Sequence, residues 1–150
     1  MIYTEAITGE QRNFEKGSAQ AALQSFYQAF NTASLEQMTT NWLQTEEASM
    51  SNPLGGVRRG WHEISAVYER IFNGSTEVYV EFYDYSIHQS EQFFCAVGRE
   101  RGYLKNKNGK LDLAIRTSRV YQKQGGIWQQ LHHHGSIENP DLLKTYQSSV

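Results

Sequence analysis

Four long segments rich in β-branched and aromatic residues fill the second half of the chain and limit the folds open to it. Short turn sequences separate these segments, which are EVYVEFYDYSIHQ, QFFCAVGRERGYL, KLDLAIRTSRVYQK and IWQQLHHHGSI. Their composition is typical of β-strands, and strands joined by tight turns pair antiparallel. Strands of this length twist, so we expect an antiparallel meander that curls into a curved sheet.

The first half of the chain has the periodicity of helices instead. A first helix is predicted from Ser18, because apolar residues then recur on one helical face. These residues are Ala19, Ala22, Leu23, Phe26 and Phe30. Ser34 is a suitable N-cap for a short second helix, and WHEISAVYERIF predicts a third helix that Gly74 ends. Helices followed by a meander are the pattern of an α+β fold, here a curled antiparallel sheet packed on three N-terminal helices.

The length and patterning predict one domain with an extension at each end. A chain of 150 residues suits a single domain, which we expect to span residues 18–138. Residues 1–17 are polar and weakly patterned, and we expect them to dock on the domain or on a partner. Residues 139–150 are expected to form a tail that adds a short helical turn.

Charge and cysteine content exclude several classes of partner. The formal net charge is -2, so the chain lacks the basic excess that nucleic acid or an anionic membrane would favour. No segment is long and apolar enough to span a bilayer, and the start of the chain does not resemble an export signal. Cys95 is the only cysteine, which favours a reducing compartment. We therefore expect a cytoplasmic protein that binds neither nucleic acid nor membrane.

The run His132–His134 resembles a metal site but is not expected to be one. In a strand, successive side chains point to opposite faces, so His132 and His134 share one face and His133 takes the other. Three ligands cannot close on one ion from that arrangement. The chain has no second cluster of Cys, His or carboxylates at metal-binding spacing. We expect no metal and no cofactor.

Hairpin geometry predicts which face the histidines take. The face of strand 111–123 that carries Leu113, Ile115 and Arg119 is apolar at one end and should pack on the helices. A two-residue loop at Gly125-Gly126 then places Arg119 opposite His132, with His132 and His134 on the inner face. A three-residue loop would reverse the faces.

Two arginines stand on strand faces that are otherwise mainly apolar. Arg119 is one, and Arg99 shares a face with Phe93, Cys95 and Val97. Isolated arginines on strands are more often surface residues. Several that converge on a concave sheet, with no carboxylate nearby, would instead bind an anion such as a carboxylate through paired hydrogen bonds.

The stretch SRVYQKQGGIWQQLHHHGS resembles the end of the association domain of calcium/calmodulin-dependent kinase II and of related small bacterial proteins. The matching positions are Ser118, Arg119, Val120, Trp128, His132, His134 and Ser136. The segment NPLGGVRRGWHEISAVYERIF resembles the same proteins. This resemblance implies the SnoaL-like, nuclear-transport-factor-2-like superfamily, with a cystatin-like cone of curled sheet. The pocket arginines of those proteins correspond to Arg119 and Arg99.

The stretches ALQSFYQAFNTASLEQM and SNP are similar to steroid Δ-isomerase, which has the same fold. That enzyme uses a tyrosine as oxyanion donor and an aspartate as base, and the corresponding positions here hold Phe26 and Asn52. Phenylalanine donates no hydrogen bond and asparagine takes no proton, so the chemistry of steroid isomerase is not expected. Both residues are candidates for lining a pocket.

Three functions remain open on this reasoning. The first is binding of a small, anionic and partly apolar molecule by Arg99, Arg119, His132 and His134, with Phe26 and Asn52 beside them. The second is an enzyme of isomerase, dehydratase or cyclase type that uses His132 or His134 as acid or base. The third is a non-catalytic assembly hub. Residues 78–87 are apolar on both faces, which predicts a homodimer or a larger oligomer.

Overall fold

The computed structural model describes residues 1–149 and confirms the α+β fold. The helices are α1 (Ala19–Asn31), α2 (Leu35–Asn41), α3 (Gly60–Asn73) and α4 (Pro140–Ser149). The strands are β1 (Ser49–Ser51), β2 (Arg58–Arg59), β3 (Glu77–Gln89), β4 (Phe93–Asn106), β5 (Gly109–Gln124) and β6 (Ile127–Ser136). They form one six-stranded sheet in the order β2-β1-β6-β5-β4-β3. None of the described helices is both long and apolar enough to cross a membrane.

The sheet is mixed, which corrects the expectation of a purely antiparallel one. The meander β3–β6 is antiparallel throughout, but β1 lies parallel to β6, with Ser49 opposite His132. A parallel neighbour is possible here because α3 and most of the meander separate β1 from β6 in the chain. The predicted helix starts are confirmed, since the side chains of Ser18 and Ser34 cap α1 and α2. Leu23 and Phe26 of α1 are buried against the concave inner face of the sheet.

A bulge in β3 changes the face of one tyrosine. The register of β3 against β4 shifts between Tyr83 and Ser86, where Asp84 has a positive φ of 49°. An extra residue in one strand sends the following side chains to the other face. Tyr85 is therefore buried and stacks on Phe82, with ring centroids 5.0 Å apart. Simple alternation along β3 predicts that Tyr85 shares the outer face with Tyr79 and Tyr83, and this prediction is wrong.

Strand β4 has the opposite orientation to the one expected. Phe94 and Glu100 face the helices, whereas Phe93 and Arg99 face outward. The hairpin between β4 and β5 fixes this orientation, because it pairs Glu100 with Ile115, an inner-face residue. Alternation alone was ambiguous, since both faces of β4 begin with apolar side chains.

A second bulge reverses the faces of the histidine run. Gln124 lies opposite Ile127, as a two-residue loop at Gly125-Gly126 requires. Farther along, Tyr121 pairs with Gln130 but Val120 pairs with His132, so Leu131 is an extra residue in β6. The partner of Arg119 is consequently His133, and His132 and His134 lie on the outer face.

The N-terminal extension docks on this domain and covers the free edge of β3. Backbone hydrogen bonds join Tyr3 to Tyr85 and Ile7 to Phe82 in both directions. The Asn31 side chain pairs with the same edge at Val80, where its amide donates to the backbone C=O and its Oδ1 accepts from the backbone N–H. An open strand edge invites pairing with other chains, and here it is closed within the chain.

The tail is more ordered than the single helical turn that we expected. It forms the ten-residue helix α4, in which Tyr146 is buried. Leu142 and Leu143 pack partly against the core. Val150, the last residue of the predicted tail, lies outside the described residues.

The docked extension can be tested with two isoleucines that lie five positions apart. Ile7 is fully buried, whereas Ile2 is 60% exposed. Ile7→Ala should lower the free energy of unfolding by about 2–5 kcal/mol, the range for truncating a buried aliphatic side chain. Ile2→Ala should change it by less than about 0.5 kcal/mol. Urea unfolding measures both free-energy changes. A loss for Ile7→Ala as small as the one for Ile2→Ala would show that the extension contributes nothing to the core.

Candidate functional site

A buried arginine lies at the centre of the inner face. Arg119 is 2% exposed, and each of its three side-chain nitrogens has a partner. Its Nη2 donates to Glu100 Oε2 at 2.9 Å, its Nη1 to Gln130 Oε1 at 2.8 Å and its Nε to the Tyr27 hydroxyl at 3.3 Å. The Phe26 ring covers the guanidinium at 3.6 Å. Arg119 is thus held by groups from α1, β4 and β6.

Glu100 supplies the carboxylate that the sequence analysis did not find. Its Oε2 also accepts a hydrogen bond from the Tyr27 hydroxyl at 2.6 Å. Burial, more than the neighbouring charges, raises the pKa of Tyr27 well above its usual value. The phenol therefore stays protonated and is the donor in its hydrogen bond to Glu100. Because Glu100 balances the charge of Arg119, this part of the site carries no net charge.

A second set of hydrogen bonds fixes the groups around Arg119. The Asn41 Oδ1 accepts from Tyr121 Oη at 2.8 Å and from Gln130 Nε2 at 3.3 Å. The Asn41 amide in turn donates to the backbone carbonyl of Ala22 in α1 at 3.0 Å. This network joins α1 and α2 to β5 and β6 of the sheet. Side chains held by several partners keep one geometry, as a binding site requires.

Above Arg119 lies a cavity between α1, α3, α4 and the sheet. Glu100, Arg119, His133 and Asn52 are among its polar lining residues. Its apolar lining includes Phe30, Val67, Ile71, Val80, Leu113 and Ile115. The free space inside is about 50 Å³. Apolar walls with a few convergent polar groups are typical of small-molecule sites.

Two polar groups in this cavity have unused hydrogen-bonding capacity. His133 is 7% exposed, and its buried Nδ1 has no hydrogen-bond partner among residues 1–149. Burial, with a further contribution from the Arg119 charge, holds the pKa of His133 well below its usual value, although the Ser118 backbone interacts with the ring enough to raise this pKa slightly. The ring is therefore neutral at physiological pH. Within residues 1–149, Glu100 accepts both of its hydrogen bonds through Oε2, which leaves Oε1 available.

The structure brings half of the expected site residues together. Arg119, Phe26 and Asn52 line the cavity. Arg99, His132 and His134 do not, for the reasons of register given above. Arg99 is about half exposed and lies 3.4 Å from Asp84 on the outer face. His132 bonds the Ser49 hydroxyl through Nδ1 at 2.7 Å, and His134 is exposed.

Sequence reasoning missed Glu100, His133 and Tyr27. Glu100 lies in the charged run GRERG, where alternation puts Glu100 on one face of β4 and both arginines on the other. The pairing of Glu100 with Ile115 identifies Glu100 as the residue on the inner face. Tyr27 follows Phe26 and points about 100° away from it on a helix, so the helical face that carries Phe26 does not predict that Tyr27 is buried. Both residues are nevertheless buried, because α1 contacts the domain over a wide face. For His133 the sequence offered no signal, since nothing marks Leu131 as a bulge.

A second depression, called the outer groove here, opens on the outer side of the sheet and shares Glu100 and Ile115 with the lining of the cavity. Its volume is about 480 Å³, and its lining includes Tyr83, Arg99, Arg116 and Glu138. Arg99 and Arg116 lie directly opposite each other on β4 and β5. Both are more than half exposed and have acidic neighbours within 4.0 Å, Asp84 and Glu138 respectively. Solvent screens such pairs, so their electrostatic contribution is small.

Comparison with known proteins agrees with this architecture. Residues 19–140 match the SnoaL-like domain. A solved protein with a cystatin-like fold from Caulobacter vibrioides is 20% identical, with 84% of this chain and 91% of that chain covered and a TM-score of 0.67. A Xanthomonas campestris protein named after the calcium/calmodulin-dependent protein kinase II association domain is 19% identical, with coverages of 80% and 85% and a TM-score of 0.69.

A third solved structure carries the name of an enzyme. This Streptomyces avermitilis protein of the NTF2-like family, named as a dehydratase, is 18% identical, with 77% of this chain and 91% of that chain covered and a TM-score of 0.67. Identities this low establish the shared fold alone. No curated protein matches the chain significantly. The cystatin-like, nuclear-transport-factor-2-like fold expected from the sequence is therefore confirmed.

The buried ion pair can be tested by a double-mutant cycle. Arg119→Met or Glu100→Met alone leaves one buried charge without its partner and should cost about 3–5 kcal/mol of unfolding free energy. The double variant removes both charges and should lose clearly less than the sum of the two losses. Urea denaturation provides the four values. Arg116→Met, at an exposed arginine of the same strand, is the control and should change stability by less than about 0.5 kcal/mol. Additive losses would contradict the pair.

Proposed function

This chain belongs to the SnoaL-like domain family, and we propose that its cavity binds a small, partly apolar molecule. The observation that carries the proposal is a mainly apolar cavity whose lining includes His133, with a buried Nδ1 that lacks a hydrogen-bond partner among residues 1–149, and Glu100, whose two hydrogen bonds both use Oε2. Buried polar groups without partners are costly in a folded protein, and most native ones are paired. A ligand with a polar end and an apolar body would supply the missing partner and fill the cavity.

The charge balance of the site favours an uncharged polar end on this ligand. The expectation of an anion depended on an arginine without a carboxylate, and Arg119 already has Glu100 at 2.9 Å. An incoming carboxylate would meet the negative charge of Glu100 as well as the positive charge of Arg119. A hydroxyl, carbonyl or amide group avoids that repulsion and still bonds Glu100 Oε1 or His133. Binding of an anion stays an alternative prediction.

If the protein is an enzyme, the candidates for its acid or base are not the residues that the sequence predicted. His132 and His134 lie on the outer face, so an acid or base acting on a molecule in the cavity would be His133 or Glu100. A neutral imidazole can accept a proton, but the lowered pKa makes His133 a weaker base than an ordinary histidine. No group in the cavity is so placed that it identifies a reaction, and catalysis stays a prediction.

Three benzene derivatives that differ in one group test the proposed ligand chemistry. Benzyl alcohol and benzamide should bind at least about tenfold more tightly than benzoate, since only benzoate adds a charge near Glu100. Their affinity should stay constant between about pH 8 and pH 6, because His133 remains neutral over that range. Isothermal titration calorimetry measures both comparisons.

Two variants locate this binding within the chain. Ile71→Phe adds bulk to the cavity wall and should weaken binding of benzyl alcohol. Arg99→Ala alters only the outer groove and should leave binding unchanged. Tighter binding of benzoate that is lost in Arg99→Ala would contradict the proposal and favour an anion site on the outer face.

We also propose that the chain self-associates through the outer face of the sheet. Tyr3 and Ile7 pair with the edge of β3, which makes that edge less available to a second chain and favours the outer face as the surface of association. On that face Phe93 and Val97 are 41% and 42% exposed. Tyr79 and Tyr103 stack farther along the same face, toward the other end of β4, with ring centroids 5.7 Å apart.

Light scattering tests the proposed oligomer. The unmodified chain should scatter as a dimer or larger at micromolar concentration. Val97→Glu places a charge in the proposed interface and should produce a monomer, because an unpaired charge is costly to bury. Ile127→Glu, at the exposed turn between β5 and β6, is the matched control and should leave the mass unchanged. A monomeric unmodified chain would refute self-association.

A further inference from the structure

We propose that the Tyr146 side chain occupies part of the cavity when no ligand is bound, and that α4 acts as a lid. The lid withdraws this tyrosine when a ligand with an aromatic ring and a hydroxyl group takes its place. This inference rests on the proposed function, because it assumes that the cavity binds a ligand. It adds how the ligand enters and what its chemistry resembles.

The first support is the position of Tyr146. It lines the cavity together with Glu100, Arg119 and His133, and it is the one residue of α4 that is buried. The free space that remains beside it is about 50 Å³. A water molecule takes about 30 Å³ in the liquid, and an engineered cavity of about 150 Å³ binds benzene. Any ligand larger than a few atoms therefore requires the lining to move, and on this proposal it is Tyr146 that moves.

The second support is the weak attachment of α4 to the rest of the chain. Among residues 140–149, one hydrogen bond reaches another element or loop, from Gln147 Nε2 to the Pro53 carbonyl at 3.1 Å. The apolar contacts of α4 come from Leu142, Leu143 and Tyr146, of which only Tyr146 is buried, with 9% of its surface exposed. Segments with few buried contacts open at low free-energy cost.

The third support is that α4 can move as a unit. Asn139 Oδ1 accepts from the backbone N–H groups of Asp141 and Leu142 at 2.9 and 3.1 Å, so the start of the helix is capped from within its own segment. The Thr145, Ser148 and Ser149 hydroxyls bond carbonyls of the same helix. Withdrawal of the helix breaks none of these bonds. The chain around Glu138 and Asn139 is irregular and provides a hinge.

Tyr146 also indicates the chemistry of the ligand that replaces it. Its ring lies in the same cavity as Phe26, Phe30 and Tyr68, an aromatic environment that favours a planar ring. Burial raises the pKa of Tyr146 to about 12, with a smaller contribution from the charge of Glu100, so the hydroxyl stays protonated there. A phenolic ligand presents the same ring and the same donor to the cavity.

The test uses 2-naphthol as the probe and compares two substitutions on α4. Tyr146→Ala removes the occupant and should bind 2-naphthol at least about tenfold more tightly than the unmodified chain, because the closed state no longer competes. Lys144→Ala changes an exposed residue of the same helix and should leave the affinity unchanged. Calorimetry provides the affinities.

Hydrogen exchange on the unmodified chain gives a second readout that does not depend on any substitution. Saturating 2-naphthol should speed the exchange of the amides in residues 143–149, since the displaced helix loses its packing. Exchange that stays the same or slows in the presence of bound probe would overturn the lid. The lid would also fail if Tyr146→Ala bound no more tightly than the unmodified chain.

The two proposals fail in different ways. If the unmodified chain binds 2-naphthol in the cavity, Ile71→Phe weakens that binding and α4 exchange is unaffected, the lid is wrong and the cavity site stands. If neither the unmodified chain nor Tyr146→Ala binds 2-naphthol, benzyl alcohol or benzamide, both the lid and the proposed function are overturned.

Discussion

The Arg119 guanidinium and the Glu100 carboxylate lie 2.9 Å apart in the core, where neither charge would be tolerated alone. Tyr27 and Gln130 complete their hydrogen bonds, so α1, β4, β5 and β6 meet at this one pair. The pair joins the meander to α1 in the register that the hairpins and bulges give it. It also determines the chemistry of the cavity, because a balanced pair presents hydrogen-bonding groups without a net charge.

This balance explains why a conspicuous arginine is a poor guide to the ligand. The sequence alone predicts that Arg119 stands on an apolar strand face without a carboxylate partner and is available to bind an anion. In the folded chain its three nitrogens are already bonded, and the Phe26 ring covers one face of the guanidinium. The capacity that remains belongs to Glu100 Oε1 and to the neutral ring of His133. A site with those groups is suited to hydroxyl, carbonyl and amide groups within an aromatic environment.

The fold could be predicted from the sequence, whereas the faces of the strands could not. Helical periodicity, the caps at Ser18 and Ser34 and the turn at Gly125-Gly126 are local signals, and the structure confirms them. The bulges near Asp84 and Leu131 have no such signal, yet each one reverses every side chain beyond it. His132, His133, His134 and Tyr85 changed faces for this reason. Glu100 was predictable in principle, because the hairpin between β4 and β5 pairs it with Ile115.

The most direct measurement is a crystal structure of the chain with 2-naphthol. The account predicts that the naphthalene ring lies among the aromatic side chains of the cavity and that its hydroxyl is within hydrogen-bonding distance of Glu100 Oε1 or a His133 ring nitrogen. The Arg119–Glu100 pair should be intact and Tyr146 displaced. A complex with the probe in the outer groove between Arg99 and Arg116, and with Tyr146 still in the cavity, would contradict it.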